Sequence, residues 1–265
     1  MKTNSSQDLL KYKECGKADL HIHSIYSQKC GLNTIAEIMN YVEKMTDLDV
    51  IAITDHNEIK GAQEALAMSK RYSFEVIVGE EILTKQGEVI GLFLKEKIPS
   101  KMSLLNTIKA IHQQGGIVII PHPFYFYERP PFPGLKRAVS LRNLNKILKL
   151  ESPLYKINAL EAFNPSWAGF FCRRLVRNFN PEIFNLSLVT GSDAHSLEQI
   201  GKSYTLFLGR TAADLKESIL NKKTIIQTCP FWTTKDNAVL IQKNIKKRLK
   251  KYHHKIKEKI KNNYS

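Results

Sequence analysis

Five of the eight histidines in this 265-residue chain, together with several carboxylates, fall in five short clusters. These are Asp19-Leu-His21-Ile-His23, Thr54-Asp55-His56, Gly79-Glu80-Glu81, Pro121-His122-Pro123 and Gly191-Ser-Asp193-Ala-His195. Imidazole nitrogens and carboxylate oxygens without thiolates suit zinc, manganese or iron better than a structural sulfur site, and they leave positions open for water and substrate. On a strand, residues two apart point to the same face, so His21 and His23, with Asp19 below them, can converge on one ion. A carboxylate such as Glu81 can bridge two ions, as in sites that clamp the attacking and leaving oxygens of an in-line displacement. Hydrolysis of a phosphoester is the chemistry such a site serves.

Elements that could position these side chains are legible as apolar runs alternating with stretches of helical period. The runs predict strands at Ala18 to His23, Val50 to Thr54, Val76 to Gly79, Val89 to Leu94, Gly116 to Ile120, Ala159 to Phe163, Leu186 to Thr190 and Tyr204 to Leu208. Helical spacing covers Thr34 to Met45, Ile59 to Tyr72, Ser103 to Gln114, Val139 to Leu150, Ala168 to Asn178 and Ala212 to Asn221. Gly115-Gly116 reads as a helix stop, and Thr211, followed by Asp214, as an N-cap. The alternation implies parallel strands with crossover helices, closed as a barrel or left open. Each cluster lies at the end of a separate strand, on the one rim where barrel active sites gather.

The formal net charge is +15, and Lys235 to Ser265 holds 11 Lys/Arg against Asp236 and Glu258. Within it Ile241, Ile245, Leu249, Tyr252, Ile256 and Ile260 recur with the period of one helical face. The expected domains are therefore a body, 1–234, and a basic amphipathic helical tail, 235–265. The stripe of that tail suits docking on the body or on a second copy, while its lysines suit RNA, DNA or anionic lipid. No leader pattern opens the chain and no apolar run approaches the length of a bilayer crossing, so a cytoplasmic protein is expected. Cys15, Cys30, Cys172 and Cys229 form no close pair and read as reduced thiols, mostly in the core.

In order and spacing, the clusters together with Asp19 to Ser27, Ile53 to Asn57, Gly87 to Phe93 and Gly191 to His195 resemble the PHP family, the polymerase and histidinol phosphatase domain. The resemblance covers about Lys17 to Leu208. It implies a distorted (β/α)7 TIM-like barrel, two or three divalent ions (zinc, manganese or iron), and phosphoester hydrolysis by a metal-activated water. Carried onto this chain, it implies one ion on His21, His23, Glu81 and Asp193, a second on Glu81 and His122, and a third on His56 and His195. Many relatives place an Asp after the second serine of the first motif, where Ser27 is here followed by Gln28 and Lys29, so the third position lacks a carboxylate. Relatives also often carry a His ahead of the glycine corresponding to Gly91; this chain offers Glu88 as an oxygen ligand.

Other residues take subsidiary roles. Asp193 and His195 can shuttle protons, Arg129 can fork onto a substrate phosphate, and Asn164 can hydrogen-bond substrate. Asp19 and Asp55 read as carboxylates that orient ligands rather than bind metal, and Glu80 as a solvent-facing neighbour of Glu81. His112, His253 and His254 fit no cluster. The expected substrate is a phosphorylated small molecule or nucleotide. The competing readings are a nucleic-acid-processing enzyme or binder that uses the basic tail, a non-catalytic member of the family, and a barrel hydrolase of C–N bonds.

Overall fold

The computed structural model describes residues 15–27, 30–123, 139–150, 152–163, 165 and 186–228. The basic tail, the helix expected at Ala168 to Asn178, and Arg129, Asn164, Cys172 and Cys229 lie outside the described residues.

Among the described residues, nine strands form one sheet: β1 (Cys15–Ile22), β2 (Val50–Ile53), β3 (Glu75–Thr84), β4 (Gly87–Leu92), β5 (Ile117–Ile120), β6 (Ala159–Phe163), β7 (Ser187–Thr190), β8 (Tyr204–Leu208) and β9 (Thr224–Gln227). Their order is β7-β6-β5-β4-β3-β2-β1-β8-β9. All eight expected strands form, and β9 is an addition. Helices α1 (Ile35–Met45), α2 (Lys60–Met68), α3 (Leu104–Gln113), α4 (Leu141–Leu148) and α5 (Ala212–Leu220) connect them. Their starts are written in local chemistry. Thr34 and Glu37 close a reciprocal capping box on α1, and Thr211 with Asp214 does so on α5.

The sheet is α/β and nearly closed like a barrel, but it is not parallel throughout. β4 pairs antiparallel with β3 and β5, and β8 antiparallel with β1 and β9. Only Lys85 and Gln86 separate β3 from β4, and so short a link can join antiparallel strands but not parallel ones. Near the seam, hydroxyls replace ladder bonds. Thr205 Oγ1 accepts from Thr190 N and donates to Thr190 O, each at 2.9 Å, and Thr224 Oγ1 donates to Leu188 O at 2.7 Å.

Alternation along the strands sorts the side chains. Ala18, Val50, Ala52, Ile77, Ile90, Ile119, Ala159, Val189 and Phe207 belong to one buried apolar cluster. Ile51, Ile53, Val76, Val78, Val118, Ile120 and Leu160 pack in a second, larger cluster with the buried residues of α1, α2 and α3. Among the described residues, no helix is long and apolar enough to cross a membrane.

Candidate metal centre

One or two steps further along the apolar face of several strands, the side chains change from hydrocarbon to ionisable. On β3, Glu81 follows Ile77 by four residues, and on β6, Glu161 follows Ala159 by two; even spacing keeps each pair on one face. Glu88 reaches the same mouth for a topological reason. Because β4 runs backwards, its first residues stand beside the last residues of β3, with Glu88 opposite Leu83. On β1, the register shift between Asp19 and Ile22 sets Leu20 and His21 together against Ala52 of β2. Such a bulge re-aims side chains. It separates Asp19 from the histidines, contrary to the simple alternation expected for Asp19, His21 and His23.

Asp19 instead accepts hydrogen bonds from the backbone of His21, Ser192 and Gly201, at 3.3, 2.9 and 2.9 Å, tying β1 to the loop after β7. Burial pushes its carboxyl up to about 6, partly offset by these bonds. Asp55 accepts from the backbone and hydroxyl of both Ser24 and Ser27, at 2.6 to 3.1 Å, and so braces the turn after β1. Both carboxylates are thus engaged by backbone and hydroxyl donors. Glu80, expected to face solvent, is fully buried instead, and its Oε2 accepts from Ile98 N at 2.9 Å. Burial raises its carboxyl to about 7. His112 contacts Lys156 O at 2.7 Å, away from the clusters.

His21, His23, His56, Glu81, Glu88, His122, Asp193 and His195 converge. His21 Nε2 lies 3.1 Å from His23 Nε2. His21 Nε2 is 3.5 Å and His23 Nε2 3.4 Å from Asp193 Oδ1. The same nitrogens are 3.6 and 3.5 Å from Glu81 Oε1 and Oε2. Glu81 Oε1 also faces His122 Nε2 at 3.1 Å, and Glu81 Oε2 faces His56 Nδ1 at 2.7 Å. Glu88 stands 3.8 Å from both His56 Nδ1 and His122 Nε2. Three groups have donor atoms within 4.8 Å of one another: His21/His23/Glu81, His56/Glu81/Glu88 and His23/His56/His195.

The far side of three rings is anchored, which fixes where the free nitrogen points. His21 Nδ1 meets Glu161 Oε1 at 2.9 Å, His23 Nδ1 meets Ser27 Oγ at 3.0 Å, and His195 Nδ1 meets Asp193 O at 2.8 Å. Histidine ligands of metals typically have their second nitrogen held in this way. Glu161 was absent from the expected set. Its other oxygen accepts from His122 N at 2.8 Å, so it holds two clusters at once. His122 and Asp193 both have left-handed backbone, with φ of 29° and 52°. That conformation is costly for non-glycine residues and tends to be retained at functional sites. Gly191 allows a close approach: a Cβ there would come within 2.6 Å of His21 Cβ.

The electrostatics describe a site short of positive charge. Burial alone would lower His21, yet Asp193, Glu161 and Glu81 raise it well above its ordinary value. His56 is raised against burial by Glu81, and His122 is pushed up to about 9 by Glu81, Glu88 and Glu161. His195 is also raised. Burial, with His195 and His56 nearby, lowers His23 well below its ordinary value. Against their own burial, His56 and His21 hold Glu81 down and His21 holds Asp193 down. Buried carboxylates this close need cations or bound protons. The donor set fits divalent metal. Separations near 3.1 to 3.6 Å match the edges of a tetrahedron with ligand distances of about 2.0–2.2 Å. His122 Nδ1 is buried without a hydrogen-bond partner among the described residues.

Cys30 is a partly buried free thiol that donates to Ser27 O at 3.9 Å, and the nearby His195 and His56 lower it to about 6 against the effect of burial.

Comparison with known proteins agrees. The PHP domain model matches residues 19–157 and a PHP-associated model matches residues 182–224, so the chain belongs to the PHP family. An uncharacterized protein of Methanocaldococcus jannaschii is 33% identical over 195 residues, 72% of this chain and 70% of that protein. Among solved structures, a two-domain protein from Bacteroides vulgatus, described as containing a PHP-like metal-dependent phosphoesterase, superposes with a TM-score of 0.62. It is 16% identical, and the match covers 81% of this chain and 65% of that one. The lesion-specific endonuclease Q of Pyrococcus furiosus gives a TM-score of 0.55 at 14% identity, covering 80% and 57%. At these identities the structural likeness concerns the fold.

Proposed function

We propose that this protein is a metal-dependent phosphoesterase with two or three divalent ions, of zinc, manganese or iron. His21, His23, Glu81 and Asp193 would hold the first ion, Glu81, His122 and Glu88 the second, and His56 with His195 the third. The observation that carries this reading is the set of separations among His21, His23, Glu81 and Asp193, with Glu161 and Ser27 fixing the two rings from behind. When bound, such ions supply a water that ionises near neutral pH and positive charge for the phosphoryl oxygens.

The chain's own groups supply the rest. The Asp55–Ser27–His23 and Glu161–His21 contacts hold both rings in place, so no rotamer freedom is lost as substrate binds. The apolar layer beneath lowers the local dielectric and strengthens each charge interaction at the mouth. When not committed to metal, His195, its Nδ1 bonded to Asp193 O, can hold or release a proton at Nε2, and Asp193 can take one at its carboxylate. Arg129 and Asn164 are proposed substrate contacts, the first because guanidinium matches phosphate geometry.

A screen of phosphomonoesters, nucleotides and short RNA with added manganese, zinc or iron tests this reading. Hydrolysis is expected in the wild type and not in His21→Ala or Asp193→Ala; full activity in both variants overturns it. A polynucleotide substrate is the second reading, favoured by the net +9 of residues 235–265. It requires binding that weakens steeply with salt and is lost when that segment is deleted.

A further inference from the structure

We propose that Asn57 is a positioning residue whose side-chain amide sets where Glu81 and Glu88 stand at the mouth. The inference rests on the metal-dependent reading above, in which both carboxylates serve the second ion. β2 ends at Ile53, paired with Val78, whereas β3 continues to Thr84. The chain that follows β2 adds one more parallel rung, at His56 and Glu81. Glu81 N donates to Asp55 O at 3.2 Å, and Asn57 N donates to Glu81 O at 2.9 Å. In a regular parallel ladder the next bond would run from Leu83 N to Asn57 O. Here Leu83 N donates to the side-chain Oδ1 of Asn57 instead, at 2.8 Å.

The substitution of side chain for backbone follows from the conformation of Asn57, which is left-handed with φ of 52°. The chain leaves the sheet there to enter α2 at Lys60, and the amide takes over the acceptor role that the departing carbonyl gives up. Asparagine is among the few non-glycine residues that visit this conformation readily. Two carboxylates depend on the rung. Glu81, whose backbone Asn57 holds, faces His56 and His122 with its two oxygens. Leu83 stands opposite Glu88 on β4, and Glu88 faces the same two rings. Loosening this rung frees the end of the β3–β4 hairpin, and Glu88 with it, while His21, His23 and Asp193 are carried by other elements.

Asn158 supplies a control. At the start of β6, away from the mouth, its Oδ1 accepts from Val118 N at 2.8 Å and its N donates to Val118 O at 3.0 Å. It is the same kind of clamp with no carboxylate of the metal centre on its rung.

Titration of the full-length wild type, Asn57→Gly, Asn57→Asp and Asn158→Ala with manganese, zinc and iron(II) tests this. Calorimetry reads affinity, electron paramagnetic resonance reads coupling between manganese ions, and circular dichroism reports the fold. Asn57→Gly keeps the left-handed backbone and removes the acceptor, whereas Asn57→Asp keeps both. Wild type should show exchange-coupled manganese, as a carboxylate shared by two ions gives. Asn57→Gly should bind the second ion about 10–100-fold more weakly and show mainly the signal of isolated manganese at levels that fill the wild type. Asn57→Asp should keep the coupled signal. Asn158→Ala should lower Tm while keeping wild-type affinities and coupling. Wild-type affinity and coupling in Asn57→Gly, or an equal loss in Asn57→Asp or Asn158→Ala, removes the role of Asn57 and leaves the metal-dependent reading intact. Manganese uptake by the wild type without coupling does the same. Absence of any metal uptake by the wild type removes both.

Discussion

The lower and upper parts of one strand face behave as two different materials. Ile77, Ile90, Ile119, Ala159 and Phe207 pack as hydrocarbon. Farther along the same strands stand Glu81, Glu88 and Glu161, with His21, His122 and Asp193 around them. The difference shows how a small change of position along a strand can switch a side chain from stability to chemistry. In the lower layer the gain comes from burial and requires only shape. In the upper layer, burial costs free energy unless each charge finds a partner, so these residues are held by specific bonds and in part by left-handed backbone at His122 and Asp193. The lower layer also serves the upper one, because an apolar floor weakens dielectric screening of the charges above it.

The largest effect expected from breaking this division is at the mouth. Asp193→Ala or His21→Ala should lower phosphoester hydrolysis by more than about 100-fold, beyond what loss of an orienting partner typically costs. Both variants should keep the wild-type circular dichroism spectrum. Glu161→Gln keeps the shape but removes the charge behind His21, and should weaken metal affinity by about 10–100-fold in calorimetric titration.

Substitution in the lower layer should act the opposite way. Ile77→Ala or Ile119→Ala should cost about 2–5 kcal/mol in denaturant unfolding, with the same number of metal ions bound per folded chain. Loss of metal from the folded variant would show that the two layers are not separable.

A smaller, graded effect is expected with pH. In metal-free protein, His122 titrates at about 9 when folded against an ordinary value of 6.5. Its raised value contributes stability that is complete below pH 6.5 and fades as pH rises through about 9. A bound cation takes the place of that proton, so the gain in Tm on adding metal should widen over this interval. A constant gain would mean that protonation of His122 and metal binding are not linked.

Much of this was legible in the sequence, for physical reasons that differ by element. The eight expected strands are runs of β-branched and aliphatic residues, and the five clusters mark where those runs end. β9, Thr224–Gln227, escaped notice because its four residues are only partly buried or exposed and show no alternation. The reversal of β4 was hidden because the expected strands stopped at Gly79 and resumed at Val89, masking the Lys85-Gln86 link, and it is this reversal that brings Glu88 to the mouth. Glu161 stands alone in an apolar run with no neighbouring histidine, so nothing marked it, yet both faces of β6 are buried. Glu80, expected to face solvent, is likewise buried because both faces of β3 are covered there. Cys30 could not be placed from spacing, since its neighbours His56 and His195 are set by the fold.

Metal analysis of chelator-stripped protein after reconstitution tests the central claim most directly. Wild type should take up two or three zinc, manganese or iron ions per chain and regain phosphoester hydrolysis with them, while Asp193→Ala should bind fewer and stay inactive. Wild-type protein that binds no metal after reconstitution, or that hydrolyses phosphoesters equally well without it, would contradict the account.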